Sequence, residues 1–425
     1  MKYSRRKSLW LQRNFLNLWI ARTISLFGSA ITTLALPLTA ISILHATPFQ
    51  MGLLFALGQI PQLLFGFVVG VWVDRVRRRP LLLLADLGRT MLLALIPLLS
   101  LLHALKIESL YVLNFFLGVL SVIFTIASTS FLPSLVERED LVEANTALQV
   151  SQSGAQIAGP SLAGICIQLV TAPVAIIGDS LSFFLSALFI WRIGRKRGDD
   201  IPLASRQNLW EQVRVGLDAV VKNPFLRALA MANGVANIFW GAQLSLLLVY
   251  MTDVLKINSL WIGIIYACGN GGFLVGTLLA KRALQWWGLG WSLCAVPLLS
   301  IGGAFLVPVA HGSLLEVALI LACAQFLTVC PLIIYHIHEV SLRQSITPDT
   351  LQGRVNATMQ VVSWATTPLG ALLGGWLGGQ IGIRSTLFLI VGGLLFAQLW
   401  LWFSPVRTLR TLPQEEMQKT DAGVV

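Results

Sequence analysis

The chain reads as long apolar runs broken by short charged segments. From residue 23 to residue 73, 51 positions pass without a charge. At 1.5 Å per residue this is roughly 75 Å of helix, enough for two crossings of a ~30 Å hydrocarbon core. The break between the two falls at His45-Ala46-Thr47-Pro48. The same punctuation predicts helices near 14–44, 50–73, 80–103, 109–132, 146–170 and 173–193, and again near 227–252, 258–280, 290–310, 314–337, 355–380 and 385–405. The expected fold is an all-α integral membrane protein with twelve transmembrane helices in two six-helix bundles.

Composition agrees with that pattern. Of 425 residues 56% are hydrophobic and only 12% charged, with a mean hydropathy of +0.77. Soluble chains carry about twice that charged fraction, and no core of this size could bury so much apolar surface, so the solvent is lipid. This excludes a soluble globular enzyme, a disordered chain and a fibrous one. The net charge of +11 does not imply nucleic acid, because the basic residues sit in the short connections between apolar runs. With the N-terminus inside, 27 of the 30 lysines and arginines lie at the inner face and only Lys106, Lys256 and Arg384 face outward. That asymmetry orients the chain with both termini cytoplasmic. Lys2, Arg5, Arg6 and Lys7 before an apolar stretch mimic a signal peptide, but Arg13 and Arg22 interrupt it and further spans follow. This is read as an uncleaved cytoplasmic start. The five cysteines all lie in apolar runs without C-x-x-C spacing and are read as packing residues.

The longest polar stretch, 194–226, divides the chain into an N-terminal bundle (1–193), a cytoplasmic central loop, a C-terminal bundle (227–405) and a cytoplasmic tail (406–425). Within the loop, 209–221 has the pattern of a short amphipathic helix on the inner membrane surface. The halves repeat. Gly66-Phe67-Val68-Val69-Gly70 recurs as Gly272-Phe273-Leu274-Val275-Gly276, 206 positions on. Asn145, Gln149 and Gly164 recur as Asn356, Gln360 and Gly375, 211 positions on. A parallel six-helix repeat is the architecture of secondary transporters. No G-x-x-x-x-G-K-[ST] is present, so transport is expected to draw on an ion gradient, a proton gradient foremost, or on the substrate's own gradient, without a cofactor.

One loop carries chemistry of its own. In Gly70-Val71-Trp72-Val73-Asp74-Arg75-Val76-Arg77-Arg78-Arg79 an acid stands among arginines at the cytoplasmic end of the second helix. Arginines alone would set topology, but topology needs no aspartate. This stretch resembles the G-x-x-x-D-R-x-x-R-R signature of the major facilitator superfamily, and the resemblance covers essentially the whole chain. Asp86-Leu87-Gly88-Arg89, Ala144-Asn145, Gly159-Pro160 with Gly164, Asp179-Ser180-Leu181-Ser182-Phe183 and Gly353-Arg354-Val355-Asn356-Ala357 are similar to its bacterial efflux branch of the enterobactin-exporter and macrolide-efflux type. The resemblance implies a gating loop of Gly70, Asp74, Arg75, Arg78 and Arg79. Its aspartate would dock on the amino end of the eleventh predicted helix, expected to begin near Arg354 and Asn356, when the inner gate is closed. That end carries partial positive charge.

The fifth predicted helix carries Gly154, Gly159, Pro160 and Gly164, a small-residue face with a bend that allows close helix approach. It resembles the proline motif of exporters in that superfamily, and the alternative is a generic packed, kinked helix. Charges at membrane depth are costly and usually functional; here they are Arg22, Asp86, Arg89 and Asp179. Asp86 is the candidate proton carrier, with a structural pair to Arg89 or Arg22 as the alternative; Asp179 is expected to serve packing near the outer end. Gln149, Gln152 and Gln156 share one helix face, as do Asn233, Asn237 and Trp240, and as do Asn356, Gln360 and Trp364. Amides with aromatics suit a cavity for an amphipathic organic substrate, or else bond between helices. His336 and His338 point to different sides of a helix and make a poor metal chelate. No nucleophile–base set argues for an enzyme. The resulting expectation is a monomeric multidrug or siderophore exporter acting as a proton antiporter; the rivals are a metabolite importer of the same fold and a non-transporting sensor.

Overall fold

The computed structural model describes residues 9–73, 75–194, 209–409 and 411, with the side chains of Phe67, Val71 and 209–213 left aside. Its long elements are all α-helices: α1 (Arg13–Ser42), α2 (Pro48–Val73), α3 (Arg78–Leu101), α4 (Ile107–Leu135), α5 (Leu141–Val170), α6 (Ala172–Trp191), α7 (Leu209–Lys222), α8 (Pro224–Val249), α9 (Ser259–Cys294), α10 (Val296–Val309), α11 (Leu314–Ile346), α12 (Asp349–Gln380) and α13 (Ile383–Trp402). Ten described helices are long and apolar enough to cross a membrane. α12 is as long but more polar. α9 breaks at Gly288, whose φ of 74° is left-handed, so 259–287 and 289–309 make separate passes. This is the twelve-helix membrane architecture, with α7 as an extra helix. Exposed Leu64, Met91, Leu101, Phe116, Leu169 and Leu278 show an apolar outer surface, as lipid demands.

Several helices overrun the predicted spans. α5 begins at Leu141 rather than 146, and α12 at Asp349 rather than near Arg354. Hydropathy marks where the hydrocarbon ends, whereas the backbone ladder continues into water at no cost in unsatisfied groups. Asn145 therefore lies inside α5, where its side-chain amide donates to the Leu141 carbonyl at 2.8 Å, and Arg354 and Asn356 lie in the second turn of α12. Starts are set locally. Asn223 accepts from the backbone N–H of Phe225 and Leu226 ahead of Pro224, and Ser313 and Glu316 form a capping box that opens α11.

Packing divides the described residues into two compact units. Unit 1 draws on Met1–Ala46, Leu57–Ser205 and Asn258–Gly263; unit 2 on Thr47–Ala56, Arg206–Ile257 and Ile264–Val425. The core of unit 1 holds Phe15, Leu18, Leu82, Phe131 and Ile190; that of unit 2 holds Leu229, Leu293, Leu342, Val355 and Leu401. The repeat reaches the turns. His45 (φ 51°) and Lys256 (φ 55°), and likewise Thr171 (φ 80°) and Gly382 (φ 87°), share left-handed backbone at the 211-residue offset.

Candidate functional site

In unit 1, α3 and α6 bring a charged cluster to full burial. Asp86 and Asp179 are 0% and 1% exposed, and Arg89 is 5% exposed. Three residues along one helix, Arg89 pairs with Asp86; the second Asp86 oxygen accepts from Ser186 Oγ of α6 at 2.6 Å. The guanidinium is held between rings, 4.2 Å from the Phe124 centroid and 4.0 Å from that of Phe183. Asp179 differs. Its Oδ1 accepts from Ser182 Oγ at 2.9 Å, and among the described residues no cation lies within ion-pair distance. Gly28 of α1 makes the space: a Cβ there would meet Asp179 Oδ1 at 2.5 Å. Arg89 is the one described cation within ion-pair distance of either acid, and it pairs with Asp86. Arg22 is half-buried on α1, and no described carboxylate pairs with it.

Of the gating loop, Asp74 lies outside the described residues. Gly70 is half-buried on α2, Arg75 is exposed, and Arg78 opens α3. The Arg79 side chain donates from Nε to the Ile190 carbonyl at 3.3 Å and from Nη2 to that of Trp191, tying down the last carbonyls of α6. On the C-terminal side, Arg354 is half-buried, and its carbonyl would stand 2.6 Å from a Cβ at Gly216 of α7. The amphipathic helix therefore rests directly on the start of α12.

Two glycine crossings stand at equivalent places of the repeat. In unit 1 a Cβ at Gly164 would lie 3.1 Å from the Gly263 Cα, and one at Gly263 would lie 2.5 Å from the Pro160 carbonyl. In unit 2 a Cβ at Gly52 would lie 3.2 Å from the Gly375 Cα, and one at Gly375 would lie 2.6 Å from the Pro48 carbonyl. Gly52 and Gly263, like Gly164 and Gly375, are 211 residues apart. Helix backbones approach this closely only where both lack a side chain. Gly159 faces Ala30 of α1, whereas Gly154 faces open space.

The amide faces separate. Gln149 and Gln156 are exposed and Gln152 half-buried on α5. On α8, Asn233 Oδ1 accepts from Tyr335 Oη of α11 at 2.7 Å. The Asn237 amide donates to the Asn233 carbonyl at 2.7 Å and to Ser363 Oγ of α12 at 3.4 Å. These two asparagines bond between helices. Trp240, Trp364 and Asn356 are half-buried and Gln360 is exposed. The partners Ser186, Phe124 and Tyr335 lie beyond sequence inference, whereas the Glu339–Arg343 pair on α11, 2.8 Å apart, has the i, i+4 spacing that the sequence displays. One signal was available: Asp179, Ser182 and Ser186 fall on one face of α6 at i, i+3 and i+7.

Comparison with known proteins follows the same line. The chain is 25% identical to an uncharacterized transporter of this superfamily's type, YfiS of Bacillus subtilis (strain 168), over 90% of this chain and 91% of that one. It is 26% identical to the multidrug efflux pump Tap of Mycolicibacterium fortuitum, over 84% of this chain and 88% of that one. Its fold is similar to the crystal structure of a bacterial homologue of the iron transporter ferroportin, with a TM-score of 0.74 at 18% identity, over 92% and 98% of the two chains. The model of the Major Facilitator Superfamily matches residues 18–347, and with twelve membrane-crossing helices, a repeated half and paired glycine crossings, the chain belongs to that superfamily of membrane transporters.

Proposed function

We propose that this transporter exports a hydrophobic or amphipathic organic compound, a drug such as a macrolide or a siderophore, by alternating access driven by the proton gradient. It works as a monomer in a bacterial inner membrane, both termini cytoplasmic, with no bound cofactor. The observation that carries the direction is the α5 crossing. Gly159 and Gly164 seat α5 against α1 and the start of α9, with the Pro160 carbonyl against Gly263, where the sequence resembles the exporter motif. The similarity to a multidrug efflux pump along most of the chain supports it. For the proton, Asp179 is the better carrier than Asp86. Asp86 is doubly satisfied by Arg89 and Ser186, whereas Asp179 has no described cation within ion-pair distance, and a proton on Asp179 leaves the buried cluster neutral. Gln149, Gln360, Trp240 and Trp364 are the candidates to meet an amphipathic substrate, with Gln152 and Gln156 on the face of α5 that carries Gln149; Asn233 and Asn237 hold helices together.

The test is cellular accumulation of macrolides, cationic dyes and a catecholate siderophore, in wild type, Asp74→Asn and Asp179→Asn, each with and without a protonophore. Wild type is expected to lower accumulation of one class, and each variant and the protonophore to abolish that. Depletion that survives the protonophore overturns proton drive. Depletion of no compound overturns broad efflux and favours an importer or sensor.

A further inference from the structure

The segment that follows α13 turns back onto unit 2 as a strap. Ser404 Oγ accepts from the Val406 N–H at 3.3 Å and opens a short 3₁₀ turn, Pro405–Thr408. Val406 is fully buried in the core cluster that holds Leu289, Leu293 and Leu401. The Leu409 carbonyl accepts from the Gly290 N–H of α9 at 2.7 Å. A Cβ at Gly290 would stand 2.3 Å from the Arg407 carbonyl, so the strap closes only over glycine. The equivalent corner of unit 1 is closed by other means: Arg79, 211 positions before Gly290, donates from its side chain to the Ile190 and Trp191 carbonyls.

The strap leaves Arg407 exposed, its guanidinium carbon 4.8 Å from the Trp402 ring centroid. Trp402 in turn meets Trp291 edge-on at 5.5 Å. Trp286 and Trp287, just before the break in α9, form a second edge-on pair, and they and Trp291 are each more than half uncovered by protein. The depth of this corner follows from helix length. α13 has 20 residues, about 30 Å of helix, the thickness of the hydrocarbon core. Trp402 at its end therefore stands where hydrocarbon gives way to headgroups, the level that tryptophan prefers, with Arg407 just beyond. Charge here is one-sided. Lys281 and Arg282 are exposed, and Ser292 Oγ donates to the Ala283 carbonyl at 3.3 Å, which holds their turn beside that of Trp291. The sequence has no acid between Asp253 and Glu316, or between Asp349 and Glu415. Among the described residues no carboxylate pairs with Arg407.

We propose that this corner of unit 2 binds an anionic phospholipid, with the Arg407 guanidinium on the headgroup phosphate and the acyl chains along the edge formed by Trp291 and Trp402. A guanidinium is planar and forks onto two phosphate oxygens, and an indole beneath it holds that plane in place. Lys281 and Arg282 add attraction for the net negative charge that phosphatidylglycerol carries and phosphatidylcholine lacks. The strap sets the position of Arg407: with Val406 buried and the Leu409 carbonyl bonded to Gly290, the backbone on both sides of the arginine is fixed. The site goes beyond the export reading and does not depend on which compound is carried.

The test is native mass spectrometry of the full chain in detergent, titrated with phosphatidylglycerol and separately with phosphatidylcholine. Wild type is compared with Arg407→Gln, Trp402→Leu and Gly290→Val. Arg192→Gln is the control for charge alone, since that guanidinium lies 5.8 Å from the Phe189 ring centroid at the end of α6. Wild type is expected to bind its first phosphatidylglycerol more tightly than phosphatidylcholine. Arg407→Gln should weaken that first binding about 5-fold, the worth of one cation at a membrane surface, and Trp402→Leu about 3-fold through the lost ring. Gly290→Val keeps every charge but unseats the strap, and should weaken binding as Arg407→Gln does. Arg192→Gln should leave the first binding unchanged. Added phosphatidylglycerol should also raise the unfolding midpoint of wild type but not of Arg407→Gln. Equal affinity of wild type for the two lipids overturns the proposal. So do equal losses in Arg407→Gln and Arg192→Gln, which would leave only the diffuse positive charge of the chain. Wild-type affinity in a folded Gly290→Val overturns the role of the strap. Arg407→Gln and Trp402→Leu alter surface side chains and carry the test even where Gly290→Val does not fold.

Discussion

The Asp86–Arg89 pair should behave as a keystone of unit 1 whose two halves are worth far more together than apart. Arg89→Met removes the one described cation that pairs with this buried cluster and keeps much of the side-chain volume. It strands Asp86 at 0% exposure with only the Ser186 hydroxyl at 2.6 Å, and it removes the contact with the Phe124 and Phe183 rings. Breaking a buried pair from one side costs about 3–5 kcal/mol, and a desolvated cation–ring contact is worth roughly 2 kcal/mol. Relaxation and protonation of the stranded acid offset part of this, so about 4 kcal/mol is expected. Asp86→Asn keeps shape but leaves the guanidinium without its nearest anion, at about 3 kcal/mol. The double variant removes both charges and should cost only about 2 kcal/mol, leaving a coupling near 5 kcal/mol, well above the additive limit of ~0.5 kcal/mol. The assay is equilibrium unfolding of the purified protein in mixed micelles by added denaturing detergent, run as a double-mutant cycle. Single variants within ~0.5 kcal/mol of wild type, or a double variant equal to the sum, would refute the reasoning.

Three further outcomes follow from the packing. Gly164→Leu and Gly375→Leu, which drive a side chain into the Ser259 carbonyl and the Pro48 carbonyl respectively, should each abolish transport of whichever compound the wild type depletes. Membrane expression within about twofold of wild type, measured by quantitative blot, separates this from misfolding. Arg79→Ala releases the Ile190 and Trp191 carbonyls and should lower unfolding stability by about 1–3 kcal/mol, with Arg79→Lys recovering only part because an ammonium cannot fork. Ser313→Ala removes the capping box of α11 and should cost about 1 kcal/mol, read as a lower unfolding midpoint in the same micelles, while Ser313→Asp stays near wild type.

Much of this molecule was legible in one dimension because lipid imposes a simple rule: every crossing must be a helix and must be apolar outside. Uncharged runs located the spans, and the offset between Gly164 and Gly375 exposed the repeat. The helix ends were not legible, since Leu141 and Asp349 start their helices in water, where hydropathy has no voice. Nor did spacing choose the partner of Asp86. Arg89 and Arg22 were both possible, and only the fold, by facing α6 and α4 onto α3, supplied Ser186 and the rings of Phe183 and Phe124 and left Arg22 without a described acid. The amides of Asn233 and Asn237 showed polarity in an apolar helix; that they bond Tyr335 and Ser363 depended on α11 and α12 lying alongside. Gly52 and Gly263 share the 211-residue offset of the repeat, but nothing in the sequence pairs them with Gly375 and Gly164. Their role arises because two helix backbones cross there at a distance that a methyl group would prevent. Sequence thus determined what each segment must avoid, water or lipid. Tertiary structure decided which buried polar groups meet, because a hydrogen bond or ion pair depends on ångström distances between helices far apart in the chain.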